Sequence, residues 1–203
     1  TPVFESEMLV RFDEPVGRMS KLVMAWNGPR AFAADTAALD LLAHALSGTP
    51  SARLDKRLSY DDLIAQSVSA HLAEHKAGVE FLIEVVVRPG RTLEEAHAAV
   101  DEVLAELRTK PPTSDELRRA ANARETDVLR GLEILGGFSG RAELLQLYEN
   151  HFGDPGRLTW DLERFRRATT SDLSRVAAQW LGPNRLIVYA TPIGKAQEGA
   201  AAK

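Results

Sequence analysis

Apolar and polar residues alternate most regularly between residues 64 and 87. Ile64, Val68 and Leu72 share one parity in the first half of this stretch, and the polar Ser69 and His71 fall on the other. A Lys-Ala-Gly turn signal follows, and residues 79–87 are the β-rich run Val-Glu-Phe-Leu-Ile-Glu-Val-Val-Val. Two such runs around a glycine-containing turn predict a β-hairpin.

Shorter apolar runs predict three more strands. Residues 7–12 and 19–26 form two of them, joined by a turn at Pro15 and Gly17. Residues 186–190 form the last strand, and they are apolar enough for a strand that is buried.

Helical periodicity occupies most of the remaining chain. We expect a first helix over residues 34–46, stopped by Gly48. Thr-Leu-Glu-Glu at 92–95 and Thr-Ser-Asp-Glu at 113–116 are capping boxes that open two further helices, the second extending to about residue 135. Three more helices are predicted over residues 139–152 and 160–166 and from a cap at Thr170 to Trp180.

The order of these elements predicts an α+β fold. We expect a two-layer sandwich in which a mainly antiparallel sheet carries the helices on one face. No internal repeat or linker divides the chain. The sequence therefore predicts a single domain over residues 1–193, followed by a disordered tail over residues 194–203 that is small and polar.

Composition excludes several classes of protein. The chain has 203 residues and a net charge of −4, without a basic cluster, so nucleic-acid binding is not expected. No run of 18 or more apolar residues is present to span a membrane. The absence of cysteine excludes disulfides, thiolate zinc sites and cysteine nucleophiles.

His71-Leu72-Ala73-Glu74-His75 matches H-x-x-E-H, an inverted zinc-peptidase motif. On a helix, a spacing of four places two histidines on one face, and the glutamate can act as general base on zinc-bound water. On the strand predicted here, the histidines would lie about 13 Å apart and Glu74 would point to the opposite face. The spacing therefore predicts solvated residues at a hairpin tip and no shared metal.

Several short segments occur in an order that is typical of one peptidase family. Ser51-Ala52-Arg53-Leu54 resembles the Ser-Arg-Leu step of that family, and Ser-Val-Ser-Ala at 67–70 resembles the strand that follows it. Residues 112–120 resemble its T-x-x-E-L-x-x-A helix start, and residues 168–181 resemble a later capped helix. Taken together, the chain resembles the C-terminal, non-zinc module of an M16 (pitrilysin or insulinase-type) metallopeptidase, the peptidase M16 inactive domain.

This resemblance implies a fold and a division of roles. The fold would be that of the M16 peptidase, or LuxS-like metallohydrolase, module. In that family the zinc-binding motif lies on a helix in the first module of the catalytic half. The resemblance therefore implies no zinc in this chain and zinc in a catalytic M16 module of the same or a partner chain. Its other implied partner is a peptide substrate.

The resemblance also implies a departure at the substrate clamp. In many members the non-zinc half contributes an arginine and a tyrosine, seven positions apart, that hold the substrate backbone near the metal. These positions fall on Ser59 and Gln66 here, and a shift of one residue does not restore the pair. This departure favours a scaffold or chamber-wall role and leaves any substrate contact of Ser59 and Gln66 unknown.

Three functions stay open at this point. The first is a non-catalytic module that helps to enclose peptides in a zinc metallopeptidase. The second is a purely structural assembly subunit, and the third is an autonomous zinc hydrolase that uses His71, Glu74 and His75. We expect no catalytic residue and no metal ligand in the chain itself. The compartment is open, with export to a bacterial periplasm as the leading expectation because relatives of this type are often exported.

Overall fold

The structure, a computed structural model, describes residues 4–75, 78–136 and 140–193. The strands are β1 (Met8–Glu14), β2 (Lys21–Asn27), β3 (Ala65–His75), β4 (Gly78–Val87) and β5 (Leu186–Pro192). The α-helices are α1 (Thr36–Leu46), α2 (Leu93–Thr109), α3 (Ser114–Glu133), α4 (Arg141–Phe152), α5 (Leu158–Arg167) and α6 (Thr170–Trp180). A π-helix spans Asp55–Asp61. The predicted tail over residues 194–203 lies outside the described residues.

The five strands form one mixed sheet in the order β1-β5-β2-β4-β3. β3 and β4 are the predicted hairpin, and β2 pairs antiparallel with both β4 and β5. β1 pairs with β5 in parallel. The α+β class with a mainly antiparallel sheet is therefore confirmed, and β5 is an interior strand that lies between β1 and β2.

One face of the sheet carries the helices and the core. Buried and half-buried residues alternate along β2 and β4, so that Leu22, Met24, Phe81 and Ile83 all point to the same side. Helix α1 packs against this side with nine of its eleven residues buried. Helices α2 and α6 contribute Val100 and other apolar side chains to the same cluster. The other side of the sheet is called the open face below.

Side-chain caps account for the starts of three helices. Thr92, Thr113 and Thr169 each accept a hydrogen bond from the backbone N–H three residues on, and the acidic residue there bonds back. The first two are the predicted capping boxes. The third corrects the prediction of Thr170 as the cap, because Asp172 completes the box with Thr169.

Two features of the fold differ from expectation. β1 and β2 are joined by a short turn, but they are not neighbours, because β5 inserts between them. Asp55–Asp61 form the π-helix, an element that the sequence analysis does not predict. Among the described residues, no helix is both long and apolar enough to cross a membrane.

A half-buried ion pair fixes the π-helix segment to the turn between α2 and α3. Arg53 Nε lies 2.7 Å from Glu116 Oε1, and its other nitrogens donate to the carbonyl oxygens of Lys110 and Pro111. The hydrogen bond from Arg53, together with the capping bonds from Thr113, lowers the pKa of Glu116 to about 2 from an ordinary value of 4.5. The arginine of the Ser-Arg-Leu step therefore has a structural role: it joins the π-helix segment to the α2–α3 turn.

We expect Glu116→Gln to lower the free energy of unfolding by about 2 kcal/mol at pH 7, since a hydrogen bond to a charged partner is lost while glutamine keeps the helix cap. Because folding lowers the pKa of Glu116, its stabilising effect is full above about pH 4.5 and disappears as the pH falls towards about 2. Urea unfolding at several pH values measures this difference. Glu106→Gln, in an exposed pair with Lys110, is the matched control and should cost below about 0.5 kcal/mol. A difference between Glu116→Gln and the parent chain that persists at pH 2 would contradict the assignment.

Candidate functional site

The residues of the H-x-x-E-H motif lie on a strand. His71 lies opposite Leu82 on β4 and His75 lies opposite Gly78, so both histidines share the open face. Four residues of β-strand separate their Cα atoms by about 13 Å. His75 Nε2 lies 3.6 Å from Glu80 Oε2. The prediction of extended backbone is confirmed, and the two imidazoles cannot hold one zinc ion at about 2 Å each.

Glu74 points to the other side of the sheet, as predicted. It lines a small cavity of about 40 Å³ together with Asp40, Arg124 and Asp161. Glu74 is exposed as a residue, but packing around its carboxyl removes water and raises the pKa of that group; the nearby Asp40 carboxylate raises it further, and Arg124 opposes both effects. A general base for zinc-bound water would have to share a face with the metal ligands. Glu74 is instead on the face away from His71 and His75.

Helix α1 carries two possible ligands at the spacing that a metal requires. Asp40 and His44 are one helical turn apart, on the side towards α3. However, Arg124 Nε lies 2.9 Å from Asp40 Oδ2 in an ion pair, so a guanidinium already neutralises that carboxylate. Across the described parts of the chain, no group of three His, Cys, Asp or Glu side chains could hold a metal ion.

Ser59 and Gln66 occupy the two positions of the family clamp. Arg88, from the segment that follows β4, contacts the main chain at Ser59 and at the residue before Gln66. Ser59 is in the π-helix, and Gln66 is exposed at an irregularity in the β3–β4 pairing. Arg88, just after β4, donates to the carbonyl oxygens of Ala65 at 2.7 Å and Ser59 at 3.3 Å. Its guanidinium therefore holds the main chain of this chain, which leaves less donor capacity for a substrate carbonyl. Sequence spacing could not identify Arg88, because hairpin pairing brings it there.

A second arginine that the sequence analysis did not identify is buried. Arg185 at the start of β5 binds both oxygens of Asp101 at 2.5 and 2.8 Å and Glu7 at 3.0 Å. It also contacts His97, whose other ring nitrogen lies 2.9 Å from the Tyr189 hydroxyl. Only 8% of Arg185 is exposed. This network joins the segment before β1, helix α2 and β5, and it is structural because its charges are paired with one another.

The open face of the sheet is divided by chemistry. On the β3–β4 side it presents hydroxyl, imidazole and carboxylate groups, with Ser69 Oγ donating to Glu84 at 3.4 Å. This polar half comprises Ser67, Ser69, His71, His75, Glu80 and Glu84, with the apolar Leu82 and Val86 beside them. On the β1–β5 side the face is apolar. The peptide groups and side chains of a bound peptide can hydrogen-bond to the polar half, whereas the apolar side chains of the other half provide no donors or acceptors.

The family model for the peptidase M16 inactive domain matches residues 1–124 of the chain. Comparison with curated proteins finds no match. Among solved structures, a protease from Helicobacter pylori superposes with a TM-score of 0.80 at 19% identity, over 94% of this chain and 45% of that one. A peptidase M16 inactive domain from Pseudomonas fluorescens gives 0.75 at 19% identity, over 95% and 45%.

An inactive peptidase domain from Bordetella parapertussis is matched nearly over its full length. Its TM-score is 0.74 at 24% identity, covering 86% of this chain and 93% of that one. These similarities show the fold, and the chain spans less than half the length of the Helicobacter and Pseudomonas chains. The family model covers more than half of the present sequence. The chain belongs to the peptidase M16 inactive-domain family.

Proposed function

We propose that the chain, over residues 1–193, is a non-catalytic module that forms part of the wall of a peptide-enclosing chamber in a zinc metallopeptidase. A catalytic M16 module, in the same or a partner chain, supplies the zinc. Membership of the inactive-domain family is the observation that carries this proposal. The position of the motif supports it, since His71 and His75 are held about 13 Å apart on β3.

The polar half of the open face is the part of the module that suits a chamber wall. Its hydroxyls and carboxylates can bind peptide N–H groups, and its imidazoles can donate or accept. Such contacts bind a peptide without polarising a particular carbonyl, because Arg88 is engaged with the main chain at the clamp positions. The module would then retain substrate, while bond cleavage takes place at the zinc of the catalytic module.

A structural assembly subunit is the second candidate. The replacement of the clamp pair by Ser59 and Gln66 favours it, because neither side chain offers a guanidinium or a phenol. In this case the module would hold the catalytic module in place without contacting peptide.

Reconstitution separates these functions. The chain is mixed with the catalytic M16 module of its parent peptidase, and cleavage of an unfolded, quenched-fluorescence peptide is measured for each component and for the mixture. We expect cleavage only in the mixture and full inhibition by a zinc chelator. A complex that cleaves no faster than the catalytic module alone would indicate the structural role. Chelator-sensitive cleavage by the chain alone would indicate an autonomous hydrolase and overturn the proposal.

A further inference from the structure

A pocket of about 500 Å³ lies where β2 ends and where α6 leads into β5. Its walls come from the last turn of α6, the connection from α6 to β5, the segment that follows β2, and Phe4 before β1. This volume is in the range of small-molecule sites on proteins. The pocket shares no residue with the H-x-x-E-H segment or with the two clamp positions, so neither of them accounts for it.

Uncharged polar groups and apolar surface together line this pocket. Among the described residues that form it, no side chain is ionisable, although 27% of the whole chain is charged. Its side-chain amides, on Asn27, Gln179 and Asn184, each combine hydrogen-bond donors with an acceptor. Phe4 and Trp180 add aromatic surface. A charged ligand would lose hydration here without gaining a counter-ion, so the lining favours a ligand that is polar and uncharged.

Trp180 is held so that its ring, and not its N–H group, serves the pocket. The indole Nε1 donates to Asp35 Oδ2 at 2.9 Å, and Arg175 donates to the other oxygen of that carboxylate at 2.8 Å. The hydrogen bond from Arg175 lowers the pKa of Asp35, so the acceptor of the indole N–H stays ionised. Trp180 therefore contributes carbon surface in a fixed orientation, and the C–H groups of a pyranose ring stack on such a surface.

The main chain of the walls is already paired within the protein. Gly28 N donates to the carbonyl of Val79 at 2.8 Å, and Val79 N donates back to the carbonyl of Pro29 at 2.9 Å. The carbonyl of Gly182 accepts from Trp26 Nε1 at 2.8 Å. An extended peptide binds mainly through the main chain of its receptor, and these main-chain groups are engaged. Side-chain amides at separate points suit the separate hydroxyl groups of a sugar better.

The geometry points to a neutral saccharide as the ligand of this pocket, with a pyranose ring stacked on Trp180 and its hydroxyl groups bonded to Gln179 and Asn184. Gln179 Oε1 accepts from Arg175 at 3.3 Å, which leaves the amide N–H groups for the ligand. The Asn184 side chain has no partner among the described residues, so its donors and its acceptor are all available. Such a site would tether the module to a glycan without taking part in peptide cleavage.

Neutral disaccharides are the probes for this site. Cellobiose, maltose and N,N′-diacetylchitobiose are titrated separately into the purified chain, and binding is followed by saturation-transfer NMR. We expect at least one of them to bind with a Kd of about 1 mM, the affinity of a ligand with one stacked ring and a few hydrogen bonds. Cellobiouronic acid, the charged analogue of cellobiose, should bind at least about tenfold more weakly than the neutral sugar because no counter-ion faces it.

Alanine variants test whether binding takes place in the pocket. Gln179→Ala and Asn184→Ala should each weaken binding by about 5- to 10-fold, as the loss of one hydrogen bond does, and both residues are exposed enough to be replaced without unfolding the chain. Trp180→Phe should weaken binding further while it keeps an aromatic ring against the core. Gln146→Ala, which removes an exposed amide paired with Asn150 on α4, is the matched control and should bind like the parent chain.

Four results would overturn the inference. They are no binding of any of the three disaccharides, affinities that Gln179→Ala and Asn184→Ala leave unchanged, equal affinity for cellobiouronic acid and cellobiose, and binding of an uncharged peptide at this pocket in place of the sugars. None of these results bears on the proposed function, because neither zinc nor a peptide bond is part of the site.

Discussion

Replacing Arg185 with methionine should lower the free energy of unfolding by about 2–3 kcal/mol, because the charge-assisted hydrogen bonds of a buried guanidinium to Asp101 and Glu7 are lost while those carboxylates stay 40% and 45% exposed. Methionine keeps much of the length of the side chain but leaves Asp101 without its bidentate partner and Glu7 without a nearby cation. It also removes the guanidinium that lies 5.7 Å from the ring of Trp26. Because the network joins three segments that are distant in sequence, unfolding should remain cooperative and shift to lower denaturant concentration.

The matched control for this substitution is Arg166→Met. Arg166 pairs with Glu125 and Glu163, but about half of its side chain is exposed. Exposed ion pairs are weakened by water and salt, so the control should unfold nearly like the parent chain. Equal losses for the two variants, measured by urea titration, would show that Arg185 is not the central residue of a buried network.

Phe81→Ala should cost about 4 kcal/mol, in the range that truncation of a buried phenylalanine produces. Phe81 is fully buried on β4, and its ring makes an edge contact with Trp26 at a centroid distance of 6.2 Å. The substitution leaves a cavity beneath α1, where close packing prevents complete collapse.

Leu82 provides the control, because it is the next residue on the same strand and points to the open face. Leu82→Ala should cost about 1 kcal/mol or less in the isolated chain, since half-buried apolar side chains lose less area. Thermal and urea unfolding compare the pair directly. A similar loss for Phe81→Ala and Leu82→Ala would mean that both faces of the sheet are covered, and it would contradict the two-layer arrangement.

The sequence predicts well those elements that depend on residues close to one another in the chain. The β3–β4 hairpin follows from alternation over residues 64–87 and a glycine at the turn. The starts of α2 and α3 follow from capping boxes whose partners lie three residues apart. The zinc motif could be judged in the same way, because the distance between His71 and His75 depends only on whether the backbone is extended.

The features that the sequence did not predict depend on contacts between segments that are far apart in sequence. The insertion of β5 between β1 and β2 brings residues 8–14 and 186–192 together, which no local pattern encodes. The Arg185 network joins Tyr189 on β5 to Glu7 before β1 and to His97 and Asp101 on α2. Arg88 reaches the clamp positions only after the hairpin has formed. Tertiary pairing, rather than local preference, determines all three.

The zinc content of the purified chain tests the central claim most directly. It is measured by mass spectrometry after incubation with zinc and extensive dialysis, for the parent chain and for His71→Ala. With the two imidazoles separated along β3, we predict zinc far below one ion per chain and no difference between the two proteins. Stoichiometric zinc that is lost in His71→Ala would contradict the account, because it would require His71 and His75 to converge on one ion.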